Sequence, residues 1–201
     1  MAYIFNIGGA FWNWLLKIFL PNLKFTFSET LNADDALNWQ GYCLVQRIEA
    51  VRLSKSASQI KVTLRAVSNA YIDRVYISRA DPAGDPYDSA ADLMAVWTTP
   101  FVIPANKAVT LPDPSLIPPN VFSLAEIHYD LDEGQPLLIA VDFSATPPSR
   151  IRCNKAVTPD QACAYFKIGA EAAKANRASY SPYQGVYLIE KIEVGGFTSF
   201  M

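Results

Sequence analysis

The sequence predicts an all-β fold, an antiparallel β-sandwich or jelly roll, and three observations carry that expectation. Ile60, Val62, Leu64 and Ala66 alternate with Lys61, Thr63 and Arg65, the two-residue period of a strand with one buried and one wet face. Apolar runs of similar length, rich in β-branched and aromatic residues, recur along the chain, roughly seven to nine in number, as sandwiches require. Clusters of proline, glycine and aspartate separate them, and only the N-terminus and an alanine-rich stretch near the C-terminus invite a helix.

The chain opens on an apolar stretch, Tyr3 to Leu20, whose only strongly polar residues are Asn6, Asn13 and Lys17. A helix over about residues 9–20 would span roughly 18 Å, too short for a hydrocarbon core of about 30 Å, so no membrane span is expected. A secretory signal would want a basic start and a small-residue cleavage site, and neither is present. A helix apolar around most of its circumference is normally buried. The favoured reading is that Phe11, Trp12, Trp14, Leu15, Ile18 and Phe19 dock into another chain. Packing across the mouth of its own sandwich is the next alternative, and a membrane interface is disfavoured by the single lysine. Residues 1–40 therefore read as an apolar anchor and connector, and residues 41–201 as the sandwich domain.

Within that domain, Lys24 to Phe27 is a short strand candidate and Asn32 to Asn38 a polar connector. Tyr42 to Leu53 is apolar but mixed in phase. The alternating run at Gln59–Ala66 and the segment Tyr71–Arg79, parted by Ser68-Asn69-Ala70, read as an antiparallel hairpin. The apolar phase slips between Ile72 and Val75, which predicts a bulge or burial on both sides there. Asp81-Pro82-Ala83-Gly84-Asp85-Pro86 must be a loop. Leu93–Trp97, Phe101–Ile103 and Ala108–Leu111 are short strands, and the prolines from Pro112 to Pro119 make a stiff connector. Ile127, Tyr129 and Leu131 face one way and Glu126, His128 and Asp130 the other. Leu137 to Phe143 is continuously apolar apart from Asp142 and belongs in the middle of a sheet. Ala162–Ile168 follows, then Ala170–Ala178 as a short helix candidate. Val186, Leu188, Ile192 and Val194 close the core, with Glu190 at the same parity and in need of a partner.

Composition limits function. Hydrophobic residues make up 51% of 201 and charged residues 18%, so the chain folds and its surface is poor in charge or covered by a partner. A net charge of −2 offers nothing to nucleic acid. Three cysteines, Cys43, Cys153 and Cys163, match no zinc spacing and read as buried thiols, a Cys153–Cys163 bridge being geometrically open. His128, the single histidine, sits on a polar strand face, which argues against histidine-dependent triads and metal sites.

Several segments together, Val62-Thr63-Leu64-Arg65-Ala66, Asp73-Arg74-Val75-Tyr76-Ile77, Gly84-Asp85-Pro86-Tyr87-Asp88, Val102-Ile103-Pro104-Ala105, Leu131-Asp132-Glu133 and Val186–Val194, resemble a β-sandwich found in tailed-phage and prophage structural proteins. A related sandwich accompanies SGNH-type esterases and is similar to carbohydrate-binding modules. The resemblance spans roughly Val45 to Val194; the proline-rich connector departs from it and the first forty residues lie outside. It implies a non-enzymatic virion component of tail, baseplate or head decoration, assembled with other virion proteins and copies of itself. The alternative is a carbohydrate-binding module, either a host-receptor binder contacting surface glycan or an accessory to an esterase.

The residues themselves hold no Gly-x-Ser-x-Gly elbow, phosphate loop or dinucleotide fingerprint. Carboxylate pairs, Asp34 with Asp35 and Asp130 with Asp132, read as solvated loop groups rather than a glycosidase pair. Asp81, Asp85 and Asp88 could offer calcium oxygen ligands, but aspartate beside proline and glycine is also how turns are written, and no metal or cofactor is assigned. Among Tyr165, Tyr180, Tyr183 and Tyr187, core packing is favoured over sugar stacking, with Tyr180 and Tyr183 the candidate glycan contacts. Burying Trp12, Trp14, Leu15, Ile18 and Phe19 is worth roughly 1.5–3 kcal/mol per side chain before ordering costs. Replacing Trp14 and Ile18 together by Asp is expected to leave a folded sandwich by circular dichroism yet abolish incorporation into the particle; a variant that fails to fold alone would place the segment in the protein's own core.

Overall fold

The computed structural model describes residues 24–116 and 127–195, and among them it contains fifteen strands and no α-helix. In order these are β1 (Lys24–Ser28), β2 (Ala33–Asp34), β3 (Tyr42–Ile48), β4 (Ala57–Arg65), β5 (Ala70–Arg79), β6 (Met94–Trp97), β7 (Phe101–Ile103) and β8 (Ala108–Leu111). Then come β9 (Ile127–Leu131), β10 (Leu137–Phe143), β11 (Arg152–Asn154), β12 (Ala162–Ile168), β13 (Ser181–Gln184), β14 (Val186–Tyr187) and β15 (Ile189–Gly195). The first sheet runs β1-β15-β4, with β8 and β9 sharing the far edge of β4 end to end. The second runs β13-β12-β3-β10-β5, with β6 and β7 dividing the far edge of β5. A small third sheet, β14-β11-β2, joins them. All pairings are antiparallel, and the predicted all-β sandwich is the observed architecture.

The expected hairpin is not formed. β4 belongs to the first sheet and β5 to the second, so residues 66–69 cross the sandwich instead of turning back. Alternation reports which side of a strand is buried, and two strands facing each other across a core alternate just as paired strands do. The bulge is present: Asp142 faces Arg74 while Phe143 faces Ile72, leaving Asp73 as the extra residue. Residues 24–40, assigned to anchor and connector, contribute β1 and the fully buried Trp39 to the sandwich.

Inward-facing Leu44, Ile48, Ile72, Val75, Ile77, Leu137, Ile139 and Val141 of the second sheet meet Ile60, Val62, Leu64, Ile192 and Val194 of the first in one core. Glu190 escapes this core by a second bulge. Ile189 pairs with Leu64 and Lys191 with Thr63, so Glu190 is the unpaired residue, and its carboxylate meets Arg65 Nε at 2.7 Å.

Two polar devices lie inside. The Gln46 side chain, fully buried, donates to the carbonyls of Cys163 and Gly185 and accepts the Tyr187 N–H at 2.8 Å, fastening β3 to β12 and to the turn leading into β14. That turn needs glycine: Gly185 has φ +112°, and a Cβ there would lie 2.3 Å from the Asn154 carbonyl oxygen. Trp39 packs among Tyr42, Phe143, Phe166 and Tyr187 and donates its indole N–H to Asp35 at 2.8 Å. Asp35 is buried and also receives Lys155 at 3.1 Å, whereas Asp34 is exposed and pairs with Arg152. The expectation of two solvated carboxylates thus holds for Asp34 and is overturned for Asp35. Replacing Gln46 by Leu keeps the volume but removes these partners, and denaturant titration is expected to show a loss of about 2–3 kcal/mol.

Candidate functional site

The second sheet carries apolar residues on both faces. Its outer side presents Cys43, Val45, Leu138 and Ala140, and these are buried by Ala80, Ala172 and Tyr180, with Tyr76, Tyr87 and Tyr165 packed at the margin. The cover is made of two segments distant in sequence, residues 81–92 and 169–180. Arg177 joins them. Its backbone N–H donates to Asp88 Oδ1, and its guanidinium donates to the Tyr87 carbonyl, Ser89 Oγ and the Ala172 carbonyl. The side chain is 4% exposed, and burial pulls its pKa down. Acceptors on every side keep the cation tolerable there.

From below, Asp142 holds the same cover. Its Oδ1 accepts the N–H groups of Glu171 and Ala172, both at 2.9 Å, while Arg74 approaches Oδ2 at 3.4 Å. Burial pushes its carboxyl up, against those hydrogen bonds and the nearby cation. These contacts explain why the alanine-rich stretch is no helix: its backbone donors and acceptors are taken by Asp142 and Arg177. Tyr180 stacks on Tyr87 with ring centroids 4.9 Å apart, and Tyr87 meets Tyr165 edge-on at 5.4 Å.

Beside the cover, the outer end of the sheet opens into a cleft of about 570 Å³, lined by Arg47, Glu49, Asp81, Gln135, Tyr165 and the prolines Pro82, Pro86 and Pro136. Arg47 and Glu49 form a two-point pair, Nε to Oε1 at 2.5 Å and Nη2 to Oε2 at 3.3 Å, and Nη1 donates to the Pro86 carbonyl at 3.2 Å. Asp81 folds its loop by accepting the Ala83 N–H. Desolvation raises the Tyr165 phenol to about 12, so it is neutral at physiological pH. Rigid apolar rings, one ion pair and free polar atoms make this a place to hold a ligand rather than to activate a nucleophile.

Phe11, Trp12, Trp14, Leu15, Ile18 and Phe19 lie outside the described residues. Tyr180 is buried against Tyr87, so as a glycan platform it is corrected: neither ring face is open. Tyr183 is half-buried between Phe166, at 4.5 Å, and Tyr187, at 5.6 Å. Asp81, Asp85 and Asp88 spend oxygens on Ala83 N–H, the Tyr87 hydroxyl, and the N–H groups of Asp85 and Arg177, and no acidic, thiol or imidazole cluster suited to a metal occurs among the described residues. His128 and Asp130 are exposed. All three cysteines are free and buried, with desolvation holding the Cys43 thiol far above its ordinary range. In the sequence only the Arg-x-Glu spacing marks the Arg47–Glu49 pair, which on extended backbone puts both side chains on one face.

No protein-family model matches the chain, and no curated protein matches it.

Arg177→Met is expected to cost roughly 2–4 kcal/mol, because several buried acceptors lose their donor. Maleimide labelling followed by peptide mass analysis should show Cys43 inert in the native protein and reactive in the variant.

Proposed function

We propose that this protein is a non-enzymatic structural subunit of a tailed-phage or prophage particle, a tail, baseplate or head-decoration component that docks onto a neighbouring subunit. The sandwich resemblance across Val45–Val194 supports the reading. The observation that carries it is that, of the large apolar side chains left exposed among the described residues, Phe25 and Val51 lie on elements tied to each other, whereas Val102 and Ile168 stand apart on β7 and β12. Phe25, 50% exposed, lies on β1, the edge strand that directly continues from residues 1–23. Val51, 76% exposed, sits on the short turn tied to that strand through Arg52–Glu29 and through Ser54 with Phe25 and Thr26. Exposed apolar groups beside the strand that the apolar segment leads into favour one continuous docking end.

The chemistry of the interior agrees with a passive role. Buried carboxylates Asp35 and Asp142 are committed to holding Trp39 and the cover, and the Cys43 thiol is shielded from solvent. Mass measurement of the purified full chain is expected to show self-association or capture by a neighbouring particle protein, weakened at least tenfold by Phe25→Asp with Val51→Asp. Both positions are solvent-facing, so the melting temperature should hold. A well-behaved monomer that joins no particle would overturn the reading.

A further inference from the structure

We propose that the cleft between β3, the 81–86 loop and the β9–β10 turn binds a neutral saccharide, a ligand role separate from docking and independent of it. The charge of the lining argues against other classes. One cation, Arg47, is opposed by two carboxylates, Glu49 and Asp81, and its donors are already engaged by Glu49 and Pro86. An anionic ligand would therefore have to break a formed ion pair and approach uncompensated Asp81. A purely apolar ligand would strand these charges without water.

A pyranose answers both surfaces of the cleft. Its face of C–H bonds suits the electron-rich ring of Tyr165 and the flat flanks of Pro82, Pro86 and Pro136. Its hydroxyls suit the outward groups. The Gln135 side-chain amide makes no hydrogen bond among the described residues, and of the Asp81 carboxylate only Oδ1 is engaged. Together they offer donors and acceptors in the same cleft as the Arg47–Glu49 pair. The volume falls within the range of about 300–1,000 Å³ usual for small-ligand sites.

The site is also ordered before any ligand arrives. Tyr165 is held edge-on by Tyr87, the 81–88 loop is closed by Asp81 and Asp88, and Arg177 clamps that loop from below. Little conformational freedom is left to lose on binding, which favours recognition by few contacts.

The test uses the full chain on an array of neutral glycans, followed by calorimetric titration with the oligosaccharide that binds most strongly. Saturable binding that survives 0.5 M salt is expected, at least tenfold weaker in Tyr165→Ala, several-fold weaker in Gln135→Ala, and unchanged in Tyr165→Phe and in Tyr183→Phe. Gln135 is exposed, so its variant reads the site even where Tyr165→Ala unfolds. Absence of binding to every neutral glycan, or binding untouched by Gln135→Ala and Tyr165→Ala, overturns the proposal. Binding confined to sulfated or sialylated glycans and lost with salt overturns it equally, since it would assign the cleft to anions.

Discussion

The architecture depends on one constraint, the burial of β10 on both faces. All seven residues from Leu137 to Phe143 are buried. Leu137, Ile139, Val141 and Phe143 enter the core between the sheets, which any sandwich supplies. Leu138 and Ala140 point the other way, together with Cys43 and Val45 of β3, and a two-layer fold has nothing to cover them. Each would cost roughly 25 cal/mol per Å² of exposed apolar surface, so a third layer becomes necessary. Residues 81–92 and 169–180 are that layer, made of loops because no helix or strand is available in either segment.

A layer built of loops lacks the internal hydrogen-bond ladder that stabilises sheets and helices, and its backbone groups must be satisfied individually. Buried polar side chains take over that work. Asp142 reaches up from the sheet to two N–H groups of the cover, and Arg177 holds the Ala172 carbonyl of its own segment while reaching across to the Tyr87 carbonyl and Ser89 hydroxyl of the other. Elsewhere Gln46 and Asp35 satisfy the turn before β14 and the Trp39 indole. Each is a polar group that composition alone would place outside. Their burial is acceptable because every one binds a group that would otherwise be orphaned.

The alternation in Ile60–Ala66, the unbroken Leu137–Phe143 run and the phase slip near Asp73 were legible because burial acts directly on sequence period. Pairing was not. Whether β4 pairs with β5 or faces it across a core leaves the same pattern, and only the crossing at residues 66–69 decides. The Ala170–Ala178 stretch misled for a related reason: intrinsic helix preference amounts to a few tenths of a kcal/mol per residue, and the contacts with Asp142 and Arg177 exceed it. The cleft was the least legible part. Its walls come from residues 47–49, 80–86, 135–136 and 165, and nothing in a linear reading brings these together. Tyr180 is an aromatic near the chain end, yet burial decides an aromatic's role, and Tyr165 lines the cleft while Tyr180 does not.

The cover has a kinetic meaning as well. Its two halves are separated in sequence by about 80 residues, and neither can seat until β5, β10, β3 and β12 have aligned to form the surface beneath. The layer is therefore expected to lock after the sheet beneath it and to open before that sheet does. Amide protons of residues 169–180 should exchange by excursions smaller than global unfolding, while those of β10 exchange only when the whole sandwich comes apart.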